Sequence, residues 1–229
     1  MTTAALAGST GLVGGLMLTE LLANPAVASV YAYARRDIKN PTASTKLFPL
    51  TSTDSSTWPA MFPHSPAPKI FFSGLGTTRA AAGGLEAQRK IDVDLNYDLA
   101  KAAKEAGCET YVLISSASSS STSMFPYTKM KGELEDKIKS LGFKHTVLMR
   151  PGLLVGAREE SRAAEAVLKG VANFAGKLSP GLKNFWAQDS DVVARAAVVA
   201  GLQCMEGKKE EGVWVVSQSE IVRLGKATK

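Results

Sequence analysis

Two groups of residues in this 229-residue chain have the types and spacing to do chemistry. Gly8-Ser9-Thr10-Gly11-Leu12-Val13-Gly14 repeats glycine at every third position, and Tyr127 stands four residues before Lys131. A glycine repeat that follows a strand and opens a helix suits a dinucleotide. One glycine makes the tight turn, one admits the backbone to the pyrophosphate, and one lets the helix pack close to the strand. The helix start adds free N–H groups and a partial positive charge for phosphate. Tyr127 and Lys131 share one helix face, a turn apart. A free phenol, with a pKa of about 10, gives up its proton poorly at neutral pH. A neighbouring ammonium is expected to lower that value, and the same lysine can reach a nicotinamide ribose. The pair is the expected acid/base.

The same Y-x-x-x-K spacing occurs at Tyr97 and Lys101, inside a long helical stretch, whereas Tyr127 opens a helix behind a serine-rich segment. Ser115 and Ser116 end an apolar strand ahead of Tyr127. Either hydroxyl could hold a carbonyl oxygen toward the phenol, and Ser116 is preferred of the two. The segment 115–123, almost all serine and threonine, otherwise reads as a polar loop.

Specificity for the nucleotide is expected at the end of the second strand, where an acid would accept hydrogen bonds from a ribose 2′-hydroxyl. Arg35 and Arg36 occupy that place. Two guanidiniums can grip a 2′-phosphate, so the expected cofactor is NADP(H). Asp54, after the third strand, is placed to reach the adenine amino group. Gly74-Leu75-Gly76-Thr77-Thr78 follows the fourth strand, and its glycines would let the backbone of Leu75, Gly76 and Thr77 pass close to the cofactor. Arg79 is a further candidate for phosphate.

The elements that must position these residues alternate strand and helix. Ala4–Ala7, Ser29–Ala34, Lys46–Leu50, Lys69–Phe72, Thr110–Ile114 and His145–Met149 read as strands, and Leu12–Leu22, a stretch from Leu85 to Ala106, and Lys129–Ser140 as helices. Such alternation gives an α/β fold, a Rossmann-type doubly wound parallel sheet. Residues 1–155 are expected to form its cofactor-binding core. Residues 156–229, with helices at Glu160–Gly176 and Val192–Leu202 and a strand at Gly212–Val216, are expected to form a small C-terminal lobe on the substrate side of the same domain. Apolar residues at 45% and charged residues at 21% are ordinary for a globular protein.

The net charge of +6 is spread among acids rather than gathered into a basic stripe, so nucleic-acid binding is not expected. Two cysteines far apart and two histidines give no metal-ligand spacing. The chain enters its glycine motif at once, so no cleaved leader is expected, and no apolar run of about 18 residues could span a bilayer.

Taken together, these residues resemble the short-chain dehydrogenase/reductase superfamily in its atypical or extended branch. Leu75-Gly76-Thr77-Thr78-Arg79, Ser115-Ser116, Tyr127, Lys131-Gly132-Glu133, Arg150-Pro151-Gly152 and Arg158-Glu159-Glu160-Ser161-Arg162 are, more narrowly, similar to the Tat-interactive protein family, whose fungal members are assigned to the mitochondrial outer membrane. The resemblance implies cofactor contacts at Gly8, Gly11, Gly14, Arg35, Arg36, Pro151 and Gly152, and a catalytic set of Ser116 or Ser115 with Tyr127 and Lys131. The asparagine of such sites is sought near Asp94 and Asn96. The implied function is NADPH-dependent reduction of a small carbonyl substrate, with an NADPH-binding regulator acting through a protein partner as the alternative. A location on the mitochondrial outer membrane is implied by the resemblance alone. The helix near 167–178, with Lys169 and Lys177 beside an apolar stripe, would suit a peripheral membrane contact, though a buried face explains it more simply.

Overall fold

The computed structural model describes residues 1–40, 42–155 and 187–226. The expected helix at 160–176, its apolar stripe with Lys169 and Lys177, and the motif at 158–162 lie outside the described residues.

In chain order the first elements are β1 (Thr2–Ala7), α1 (Leu12–Ala23), β2 (Val27–Ala34), β3 (Leu47–Thr51) and β4 (Ile70–Ser73). Next come α2 (Arg79–Ala82), α3 (Leu85–Arg89), a π turn (Lys90–Leu95), α4 (Asn96–Glu105), β5 (Thr110–Ile114), α5 (Pro126–Ser140) and β6 (His145–Met149). The remaining described elements are β7 (Leu153–Val155), β8 (Ala187–Asp189), α6 (Ser190–Met205), β9 (Gly212–Val216) and α7 (Gln218–Lys226). Seven strands pair in the order β3-β2-β1-β4-β5-β6-β9, every pair parallel, while β7 and β8 form a separate ladder. The expected doubly wound sheet is therefore present.

Burial explains the strand compositions. β4, β5 and β6 read IFFS, TYVLI and HTVLM because helices cover both faces of the sheet and every residue in them is buried. Alternate residues supply two cores. Leu6, Phe72, Val112 and Val147 pack with α1 and α6, while Phe71, Tyr111, Leu113 and Leu148 pack with α4 and α5. β3 can carry Pro49 because it is the edge strand, where a missing N–H costs no ladder bond.

Two differences from the sequence reading matter. The stretch from Leu85 to Ala106 is not one α-helix: a π turn separates α3 from α4. The residues from 190 onward do not sit in a substrate-side lobe. α6 packs against α1, and β9 extends the main sheet beside β6, so this part completes the sheet and the core beneath α1. The boundary expected at 155/156 thus cuts through the core.

Candidate active site

The chain doubles back between β1 and β4, and at that switch point a crevice opens at the carboxyl ends of the strands. The loop after β1 fills its floor with backbone. Gly8 takes a φ of 80°, and a Cβ there would stand 2.6 Å from the backbone of Gly74. At Gly14 a Cβ would stand 1.9 Å from the carbonyl oxygen of Gly8, whereas at Gly11 the nearest atom is 3.2 Å away. Gly8 and Gly14 therefore serve close packing, and Gly11 leaves the loop open to the crevice. Ser9 is buried and donates to the carbonyl of Tyr33 at 2.7 Å, tying the loop to the end of β2. Thr10 and Gly11 are exposed. Gly11 caps α1 without a side chain, and no acid stands in the first turn. Its first N–H groups are left for an anion, which fits a pyrophosphate.

A cavity of about 430 Å³ extends from this loop. Gly11, Leu12 and Val13, the segment from Gly74 to Arg79, and Tyr127 and Lys131 all line it. The structure thus brings the two sequence motifs to one space. Gln88, Asp92, Ile114, Ser115 and Leu154 complete the lining.

Lys131 is 5% exposed although it is a lysine, because α5 points it inward beneath Tyr127. Burial pulls its pKa down, opposed by the carboxylates of Asp92 and Glu135. Tyr127, 46% exposed at the mouth, has its pKa raised by desolvation and then by Asp92. The expected lowering of the phenol by Lys131 is not what this arrangement produces. The charge that acts on the phenol is the Asp92 carboxylate, which opposes phenolate.

That carboxylate is the residue the sequence reading missed. Asp92 is 2% exposed, and its pKa is raised by desolvation against the pull of Lys131 and the hydrogen bond from the Thr77 N–H at 2.7 Å. It reaches the cavity from the π turn, whose extra residue rotates the helix face by a fraction of a turn. Asn96 holds that turn: its Nδ2 donates to the carbonyls of Ile91, Asp92 and Leu75, and its Oδ1 accepts from Ser73. Of the two asparagine candidates, Asn96 is buried under the cavity and Asp94 is exposed. Only an aspartate within a helix that departs from 3.6-residue periodicity signals this site, and the sequence alone does not reveal the departure.

The serines divide. Ser115 lines the cavity, donates to Glu135 Oε1 at 2.6 Å and contacts Ser119 Oγ at 2.9 Å. Glu135, almost wholly buried, is also gripped by Arg150 through Nε at 3.0 Å and through a second guanidinium nitrogen. Ser116, the preferred candidate, is half-buried and outside the cavity lining. The serine-rich segment packs down on α5: a Cβ on Gly132 would stand 2.1 Å from Ser120 backbone, and Ser120 N–H donates to Thr128.

Arg35 and Arg36 sit exposed just past β2, with Asp37, also exposed, beside them. Asp54 spends Oδ1 on the N–H and hydroxyl of Ser56, capping a short helical turn, and those bonds lower its pKa. Pro151 is buried, and the Gly152 N–H donates to Gln188, so both anchor the β7/β8 ladder. The second Y-x-x-x-K pair is not a site: Lys137 lies over the Tyr97 ring, and Lys101 faces Glu105. Both cysteines are buried, with thiol pKa values pushed up to about 12 for Cys108 and about 11 for Cys204. Among the described residues no cluster could hold a metal, and no helix is long and apolar enough to cross a membrane.

Comparison with known proteins bears on the family and the fold. Residues 52–178 match the family model HIM1. A protein of Aspergillus terreus named fmp52-1, mitochondrial, is 50% identical over 231 residues, covering 99% of this chain and 100% of its own. Among solved structures, the UDP-Glc/GlcNAc 4-epimerase of Campylobacter jejuni aligns with a TM-score of 0.69 and 14% identity over 97% of this chain and 82% of its own. A short chain dehydrogenase family protein of Francisella tularensis gives 0.67 and 14% over 96% and 98%. Identities this low speak for the fold, which is the Rossmann type of short-chain dehydrogenases and epimerases. These findings support the HIM1 and fungal Fmp52 families and do not bear out the narrower Tat-interactive resemblance.

Proposed function

This chain belongs to the HIM1 family and to the fungal Fmp52 proteins, and from that premise we propose that it is an NADP(H)-dependent oxidoreductase reducing a carbonyl compound. The observation that carries the reading is the single cavity joining the glycine loop to Tyr127 and Lys131. Bound there, NADPH would supply a hydride. The start of α1 would hold the pyrophosphate, Arg35 and Arg36 a 2′-phosphate, and Lys131 the nicotinamide ribose. Tyr127 would give its proton to the substrate oxygen, and a phenol kept protonated by burial and by Asp92 is in the right form to do so. The relatives' mitochondrial names support work at that organelle, with peripheral attachment to the outer membrane as the form proposed.

A second reading, an NADPH-binding regulator that acts on a protein partner, is favoured by one feature. Ser115 has committed its only proton to Glu135 and would have to give up a bond to a charged group in order to donate to a carbonyl.

Calorimetric titration with NADPH and NADH, on the wild type and on Arg35→Ala/Arg36→Ala, tests the cofactor assignment. NADPH should bind about tenfold more tightly or better, the worth of one charge-assisted hydrogen bond of about 1.5 kcal/mol, and the double variant should lose the preference. Equal affinities in the wild type would remove NADP(H) from the assignment. Following NADPH oxidation over a panel of aldehydes, ketones and quinones then separates the two readings, because a regulator binds NADPH and turns over none of them.

A further inference from the structure

Lys131 and Asp92 carry opposite charge, line the same cavity and are almost completely buried, yet no ion pair joins them. Among the described residues no contact ion pair is formed by the Lys131 ammonium, although Asp92 and Glu135 both act on it through their charge. Burial strips both groups of most of their water, so a polar partner placed between them would offset part of that cost. The gap has a definite place. A Cβ built on Gly76 would lie 3.6 Å from Lys131 Nζ and 3.7 Å from Asp92 Oδ2, so both groups converge on the space where residue 76 has no side chain. Asp92 Oδ1 is already held by the Thr77 N–H, and the Gln88 side chain, which donates to the Thr77 carbonyl, also lies close enough to Asp92 to favour its charged form.

We propose that Asp92 and Lys131 form a diol clamp over Gly76, in which the ammonium donates to one hydroxyl of a ribose and the carboxylate accepts from its neighbour. The clamp deepens the nucleotide reading above and rests on it. A hydroxyl both donates and accepts, so a vicinal diol satisfies both groups at once, whereas a carbonyl or phosphate would meet the carboxylate with no proton to share. The ribose taken is the one at the nicotinamide end, because Gly76 is close to Lys131 and lines one cavity with Tyr127, whereas the exposed Arg35 and Arg36 do not line it. Glu135, whose charge also acts on Lys131, does not line the cavity, and Ser115 and Arg150 hold its oxygens. Glycine at 76 is required by the ligand rather than by the backbone, since its φ is not in the left-handed region and an added methyl would make only ordinary contacts.

The test uses the full-length protein, two variants and two probes. Asp92→Asn keeps an oxygen for the Thr77 N–H but removes the charge, and Gly76→Ala fills the gap with a methyl in ordinary contact with both groups. Calorimetry with NADPH and with 2′,5′-ADP, which lacks the nicotinamide ribose, reads the clamp. Both variants should weaken NADPH about tenfold or more while leaving 2′,5′-ADP within about twofold of wild type, as loss of one charge-assisted bond requires. Unchanged NADPH affinity in Asp92→Asn overturns the clamp and leaves the nucleotide reading standing. A parallel fall for both probes also overturns it, because the effect would then be general to the fold. A wild type that binds neither probe overturns the nucleotide reading and the clamp together.

Discussion

In one part of the site, the loop between β1 and α1 is shaped by backbone lying on backbone, with Gly8 and Gly14 closing against Gly74 and each other. In the other, α5 and the π turn face one another with a phenol, an ammonium and a carboxylate across open space. The first region has no ionisable group to tune and no room to give. The second has room, and its chemistry depends on how three titratable groups shift one another. Damage to the first should therefore appear as lost folding and binding, and damage to the second as altered turnover and altered response to pH.

The largest effect that would sharpen this contrast is at Tyr127. Tyr127→Phe should lower kcat by about 10²- to 10⁴-fold on a verified substrate, the usual contribution of general acid catalysis, with NADPH affinity nearly unchanged. Wild-type turnover should hold through neutral pH and fall only in the alkaline range where the phenol, its pKa raised, loses its proton. Tyr97→Phe serves as the control and should leave turnover close to wild type. A Tyr127→Phe enzyme with wild-type kcat would end the acid/base assignment.

Next in size is the glycine cradle. Gly14→Ala puts a methyl 1.9 Å from a backbone oxygen that has nowhere to move. It should cost about 3 kcal/mol in denaturant unfolding, the upper end of overpacking penalties, and lose nucleotide binding with it. Gly11→Ala, with its nearest atom at 3.2 Å, should cost about 1 kcal/mol or less. Equal losses at the two positions would break the distinction drawn between packing and open glycines.

The smallest effect runs the other way. Burial raises the folded pKa of Asp92 above its unfolded value, so its ionised form opposes folding. That cost is absent below the unfolded carboxylate pKa, grows as pH rises through the raised folded value, and is complete above it. Asp92→Asn should therefore be more stable than the wild type at pH 7 to 8, by on the order of 1 kcal/mol, and lose the advantage in acid. Thermal melts across that range measure it. A variant less stable at pH 8 than at pH 4, relative to wild type, would show that the carboxylate supports the fold instead of opposing it.

Strand limits were legible to the residue in several places, since β5 and β6 span the residues whose apolar runs announced them. The pairing of the glycine loop with Tyr127 and Lys131 was legible too, because each motif is local and each has a fixed place on this kind of sheet. Ser115 and Ser116 were not separable in sequence, where they differ by one position in a serine run. In the structure one lines the cavity and the other does not, because successive residues leaving a strand point to opposite sides.

What the sequence determined by itself is whatever short-range periodicity encodes: alternating strands and helices, a helix opened by glycines, and an inward-facing lysine one turn beyond a tyrosine. Only the tertiary structure decided that Asp92 joins them, that Glu135 is claimed by Arg150 and Ser115, and that α6 and β9 belong to the core rather than to a lobe. The reason is physical. Local pattern fixes which side of its own element a residue faces. Which charge it meets there depends on packing between segments far apart in the chain, and on a π turn that exists because Asn96 can satisfy the carbonyls around it.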